Sequence, residues 1–167
     1  MAVEGAERLY PTRPLVGVGA VVWDGARILL ERRGRPPAQG QWAIPGGLVE
    51  LGETAAAAVR REVREECGIE IAVGPVLGLF EPILRDPDGR IRYHYVVIDF
   101  LAHYVSGTLQ RGDDAAEARW VAPADLPDYD LSPATREMIA RALTCVGEDR
   151  RRPRPHLHTW PISPAPC

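Results

Sequence analysis

The chain predicts an α/β domain built on a mixed sheet. Three observations carry that expectation. Runs rich in Val, Ile and Leu recur with strand-like lengths between Val16 and Val121. A helix-forming stretch over residues 54–67 interrupts them, and a second one begins at Ser132-Pro133. At 167 residues the chain is one domain's worth, long enough for a real core.

Each element has a local cause. Residues 1–13 are polar, run into Pro14 and read as an extended arm. Residues 16–23 and 27–33 read as strands joined by Asp24-Gly25, a hairpin signal. Residues 35–40 read as a loop, and 47–51 as a short strand leading into the first helix. That helix opens on polar Glu53-Thr54, continues through four strong helix formers from Ala55 to Ala58, and stops at Gly68. Residues 69–73 and 76–84 read as two strands broken by Gly74-Pro75. Asp86-Pro87-Asp88-Gly89 is a turn, followed by a long strand over 92–104 and a short one over 119–121. Ser132 is the expected N-cap and Pro133 the first residue of a helix running to about residue 145. The domain therefore spans 14–146. Residues 147–167 carry Arg150-Arg151-Arg152 and five prolines with little apolar periodicity, and are expected to be a disordered tail. A solvated tail accounts for His156 and His158 better than a metal site does.

Composition removes several function classes. A net charge of −3 gives no general attraction for nucleic acid or anionic membrane. The longest apolar stretch, 15–23, is too short to span a bilayer and alternates like a strand. The N-terminus carries Glu4 and Glu7 and lacks a signal-peptide pattern, so the cytoplasm is the expected compartment. Cys67, Cys145 and Cys167 are too scattered for a disulfide framework, and Cys67 reads as a small hydrophobe. The chain has no lysine, which excludes a Walker-type phosphate loop and a Schiff-base mechanism.

The strongest signal is a spacing. Gly47 is followed by five residues, Glu53, seven residues, and then Arg61-Glu62-Val63-Arg64-Glu65-Glu66-Cys67-Gly68-Ile69. On a helix, Val59, Val63 and Cys67 form one stripe facing the core. Glu62 and Glu66 stand one turn apart beside that stripe, with Glu65 a little further round. Carboxylates so placed repel one another and lose hydration, and a bound cation removes both penalties. Hard oxygen ligands favour Mg²⁺ or Mn²⁺ over zinc. The competing reading is a solvated acidic face in which Arg61 pairs with Glu65. Gly46 and Gly47, just ahead, let the backbone bend and approach a ligand closely. Arg61 has the planar fork suited to a bidentate structural pair.

Every fixed position of this pattern matches the Nudix box, and the chain resembles a Nudix hydrolase over about residues 14–145. The resemblance implies an α/β/α sandwich and a metal site. It implies that the Gly46 carbonyl joins Glu62 and Glu66 as a ligand, with Glu65 a further candidate, and that Glu53 and Arg61 pair to hold the loop onto the helix. A cation so held neutralises a diphosphate and activates a water, which a carboxylate must orient or deprotonate. Glu62, Glu65 and Glu66 are the candidates within the box. In relatives the base sometimes comes from a later loop, and Glu117 is the favoured acid there; a strand-edge surface charge explains it equally well.

The implied substrate is a small nucleotide: a diphosphate linked to a second, usually nucleosidic group. The stretches 45–53 and 93–97 look most like the ADP-ribose pyrophosphatase branch, which yields AMP and ribose 5-phosphate. The proline marking that branch is displaced here, since Pro82 and Pro87 fall on either side of its position. The rival is MutT-like hydrolysis of a nucleoside triphosphate, including oxidised nucleotides. A Nudix-fold ligand sensor is the non-enzymatic alternative, disfavoured by the intact box. Tyr93 and Tyr95 share one strand face and are candidates to stack a base, or to pack the sheet. Trp42 is a core or hinge aromatic or a stacking platform, and Arg33 a phosphate clamp or a surface charge. A homodimer is compatible with the chain.

Overall fold

The computed structural model describes residues 8–34, 36, 38–110 and 115–149. The start of the arm, residues 35, 37 and 111–114, and the tail from 150 onward with His156 and His158 lie outside the described residues.

The elements run β1 (Leu15–Trp23), β2 (Ile28–Arg33), β3 (Trp42–Ala43), β4 (Gly46–Leu48), α1 (Ala55–Cys67), β5 (Ile69–Phe80), β6 (Ile83–Arg85), β7 (Ile91–Gly107), β8 (Ala115–Val121), a 3₁₀ turn (Pro123–Asp128) and α2 (Pro133–Asp149). The main strand order is β3-β2-β1-β7-β5; β4 pairs with β1, β6 with β7 and β8 with β2. β1 and β7 are parallel while the other pairs are antiparallel, so the sheet is mixed as expected.

Helix α1 has the predicted limits for the predicted reasons. Thr54 Oγ1 accepts the Ala57 N–H at 3.2 Å, and Gly68 closes the helix in the left-handed region at φ +70°. Ser132 Oγ likewise accepts the Thr135 N–H at 3.1 Å and starts α2. At the first hairpin, Asp24 Oδ1 accepts N–H bonds from Ala26 and Arg27.

The structure departs from the sequence reading in several places, among them the last strand, which begins at Ala115 instead of 119. Gly74-Pro75 bulges a single strand instead of ending one, because the register with β7 shifts there and pairing then resumes. Only the end of the second predicted run, Ile83–Arg85, is a separate strand. The strand before α1 is Gly46–Leu48, and β3 is additional. Helix α2 continues to Asp149, past the expected end near 145, and Val146 is still buried in the core on that side of the sheet.

Two cores flank the sheet. Val18, Ala20, Val22 and Leu29 pack on Ala58, Val59, Val63 and Cys67 of α1. Val21, Ile28, Leu30 and Leu101 pack on Met138, Ile139, Ala142 and Val146 of α2. Alternation along β1 sends its even-numbered core residues to α1 and Val21 to α2, which is an α/β/α sandwich. Cys67 is buried in the α1 core, and burial pushes its thiol pKa up, as expected of a small hydrophobe.

Candidate active site

The α1 carboxylates meet the glycine turn. Glu66 Oε2 accepts the Gly46 N–H at 3.1 Å, and the Glu62 carboxylate lies where a Cβ on Gly47 would stand. In an extended strand the N–H and C=O of one residue leave on the same edge, so the Gly46 carbonyl faces this site too. The first requirement for Gly47 is therefore space for Glu62.

Arg61 holds the loop to the helix. Its Nε and Nη2 bond both Glu53 oxygens at 2.9 and 3.0 Å, and Nη2 also reaches the Leu48 carbonyl at 3.0 Å. Nη1 bonds Glu62 at 2.9 Å and Glu65 at 3.2 Å. The Glu53 hydrogen bonds, then those from Glu62, raise the Arg61 pKa, while Glu53 itself is lowered by Arg61. Glu65 is exposed, one turn from Glu62 on the same helix, and is engaged by Arg61.

A third carboxyl completes the cluster. Glu31 of β2 is 3% exposed, and its Oε2 is buried without a hydrogen-bond donor. Burial first, and then the charge of Glu66, raise its pKa well above the carboxylate range. Glu66 is raised by burial and by Glu62, and Glu62 by burial. Glu31 and Glu66 thus crowd two carboxyls into an environment that favours their neutral forms. Glu31 was legible only through alternation: Leu29 faces α1, so the residue two further along β2 does also.

Glu117 does not join this cluster. Its neighbours Ala118 and Trp120 pack on the α1 core, which turns Glu117 to the opposite face, where Arg119 pairs with it. That face carries a cavity of about 340 Å³ lined by Gly17, Gly19, Trp42, Tyr95 and Asp99, with Arg33, Gly46 and Gly47 also in its wall. Trp42 is edge-on to Tyr129 at 5.1 Å, lies under Arg119, and still borders the cavity, so both roles weighed for it are structurally available. Tyr93 and Tyr95 stack at 6.2 Å and 16°. Tyr93 is buried, and only Tyr95 reaches the cavity. Asp99 went unnoticed in the sequence, although an acid inside the apolar run 96–101 was a visible signal.

The NUDIX domain family model matches residues 13–142. The chain belongs to the Nudix family. It is 40% identical over 120 residues to an "ADP-ribose pyrophosphatase" of Methanocaldococcus jannaschii, covering 72% of this chain and 68% of the relative. It is 36% identical over 126 residues to "Nucleoside triphosphatase NudI" of Escherichia coli, covering 70% and 86% respectively. The solved MutT Nudix hydrolase of Burkholderia pseudomallei superposes with TM-score 0.66 at 35% identity, over 77% of this chain and 98% of that one. The protein is thus an enzyme of the Nudix hydrolases, which generally use divalent metal ions. No described helix is long and apolar enough to cross a membrane.

The residues of this Nudix site fit such an ion. An orphaned carboxyl oxygen on Glu31 beside Glu66 is a site with more negative charge than hydrogen-bond donors. Among the described residues, no group of three His, Cys, Asp or Glu side chains is arranged to hold a metal unaided. Glu62, Glu66 and the Gly46 carbonyl are two carboxylates and a backbone oxygen, which suits an ion that keeps waters and takes substrate phosphate as further ligands.

This electrostatic arrangement sets the pH response of the metal-free protein. Glu31, Glu62 and Glu66 all have raised pKa values when folded, so between the ordinary Glu value of about 4.3 and the folded values the native state binds more protons than the unfolded chain. Their contribution to stability is complete below that range and is lost as pH rises through the folded values. Melting in EDTA should therefore show a loss between pH 5 and 8 that is smaller in Glu31→Gln. An unchanged slope in that variant would show that Glu31 carries none of it.

Proposed function

We propose that this Nudix hydrolase cleaves ADP-ribose between its two phosphates, with Mg²⁺ as the ion, giving AMP and ribose 5-phosphate. One observation carries the reading: Gly46, Gly47 and Arg33 share the wall of one cavity with the aromatic side chains of Tyr95 and Trp42. A guanidinium in that wall suits a diphosphate, and the aromatic rings suit a nucleoside. The 40% identity to a protein named ADP-ribose pyrophosphatase supports the same assignment.

In this reading Glu62, Glu66 and the Gly46 carbonyl hold the ion. When bound, the ion neutralises the diphosphate and lowers the pKa of a water. Arg33 fixes a phosphate oxygen, and Arg61 keeps Glu62 aimed at the site. The Glu62, Glu66 and Glu31 carboxyls are the proton acceptors nearest the reaction. Water oxygen bonds to one phosphorus, the bridging P–O bond breaks, and the bridging oxygen leaves on the other phosphate.

Hydrolysis of a nucleoside triphosphate is the second reading, favoured by the similarity to NudI. Comparison of ADP-ribose, dGTP and 8-oxo-dGTP at equal subsaturating concentrations separates them. ADP-ribose should have the highest kcat/KM. A triphosphate faster by about tenfold, or ~1.4 kcal/mol of discrimination, would move the assignment to the MutT-like class.

A further inference from the structure

The inner end of the cavity holds an unexplained acid. Asp99 of β7 is 6% exposed, lines the cavity, and has no hydrogen-bond donor within reach among the described residues. Its place is built into the backbone. β1 and β7 pair in parallel with Gly19 opposite Asp99, and a Cβ on Gly19 would collide with Asp99 Oδ1. One step further along the same face, Val21 and Leu101 close the α2 core. Asp99 thus stands where the cavity meets packed hydrocarbon.

A structural role would give this carboxyl a partner, and the described residues supply none. What access the carboxyl retains is to the cavity, so its hydrogen-bond partner comes from there, as ligand or water. The missing donor does not belong to a phosphate, which carries negative charge and finds Arg33 elsewhere in the wall. A neutral donor on a ligand in this cavity, whose wall includes Tyr95 and Ile44, would complete the carboxylate without bringing a second negative charge to it.

We propose that Asp99 is a specificity-determining residue whose carboxylate accepts a hydrogen bond from the exocyclic amino group of the substrate's nucleobase. The inference rests on the reading that the cavity holds the nucleoside part of the substrate. Burial alone pushes the Asp99 pKa up to about 6, which leaves it charged and able to accept at neutral pH. A base with a keto group at that position would set two acceptors against each other.

The test uses pairs that differ only in that amino group: ADP-ribose with IDP-ribose, and dATP with dITP. The wild-type enzyme should prefer the amino member by at least about tenfold in kcat/KM. Asp99→Leu should bring the ratio below about threefold with metal-free melting unchanged or raised, since it removes an unpaired buried carboxyl. Asp99→Asn, whose amide oxygen still accepts, should keep most of the preference. If ADP-ribose is not hydrolysed but dATP is preferred over dITP in an Asp99-dependent way, the ADP-ribose reading fails and the role of Asp99 stands. Calorimetric binding of AMP against IMP to the wild-type protein gives the same comparison without any variant. Equal treatment of both members by the wild type overturns the proposal, as does an Asp99→Leu enzyme that keeps the ratio or loses both members equally.

Discussion

Glu66→Gln should lower kcat for Mg²⁺-dependent hydrolysis by about a thousandfold or more, equivalent to ~4 kcal/mol of transition-state stabilisation. The amide keeps the shape of the side chain and still offers the Gly46 N–H an acceptor, so the loop contact at 3.1 Å can persist. The negative charge facing the cation is lost. Removing that charge also relieves Glu31, whose buried oxygen then has an amide N–H to bond. Thermal stability in EDTA should accordingly stay the same or rise. This opposite movement of activity and stability separates a metal-ligand carboxylate from a structural one, whose loss would lower both. Near-normal turnover by the variant, measured in saturating Mg²⁺, would remove Glu66 from the site.

Gly46→Ala and Gly47→Ala should fail in different ways. A Cβ on Gly46 would run into the Val18 carbonyl and stand 2.8 Å from the Gly19 Cα, both backbone atoms of β1 that cannot yield without breaking the β1–β4 pair. The expected cost is ~3 kcal/mol or more, at the upper end for overpacking, and is read as a large fall in melting temperature. The three atoms nearest a Cβ on Gly47 all belong to the Glu62 carboxylate, which is a side chain but one held by Arg61 Nη1 at 2.9 Å. Gly47→Ala should therefore melt close to the wild type while Glu62 is displaced and kcat falls by about a hundredfold or more, ~2.7 kcal/mol. Differential scanning fluorimetry beside a phosphate-release assay checks both. Equal loss of stability in the two variants would mean that Gly47 serves the strand instead of the carboxylate.

The box was legible because its residues do their work locally. Thr54 and Gly68 cap α1, Arg61 reaches Glu53 across one loop, and the Val59-Val63-Cys67 stripe is fixed by helical period. The remaining site depends on which strands become neighbours. Glu31 joins Glu66 only because β2 crosses beneath α1, and Asp99 borders the cavity only because β7 runs parallel to β1 beside Gly19. Glu117 shows the limit from the other side: the resemblance pointed to an acid from a later loop, and alternation along β8 sets Glu117 on the sheet face away from Glu31 and α1, paired with Arg119. Gly74-Pro75 misled for a related reason, since a break signal in one strand became a bulge once β7 supplied continuous pairing.

The most direct measurement of the central claim is a Mn²⁺ titration of the metal-free protein. Free ion is followed by electron paramagnetic resonance, and hydrolysis of ADP-ribose is followed in the same samples. Wild-type protein should bind Mn²⁺, and hydrolysis should appear over the concentration range in which the ion binds. Glu66→Gln should bind at least about tenfold more weakly, which is ~1.4 kcal/mol, and hydrolysis should fall with it. Full-strength binding by the variant, or hydrolysis by the wild type in excess EDTA, would contradict the account.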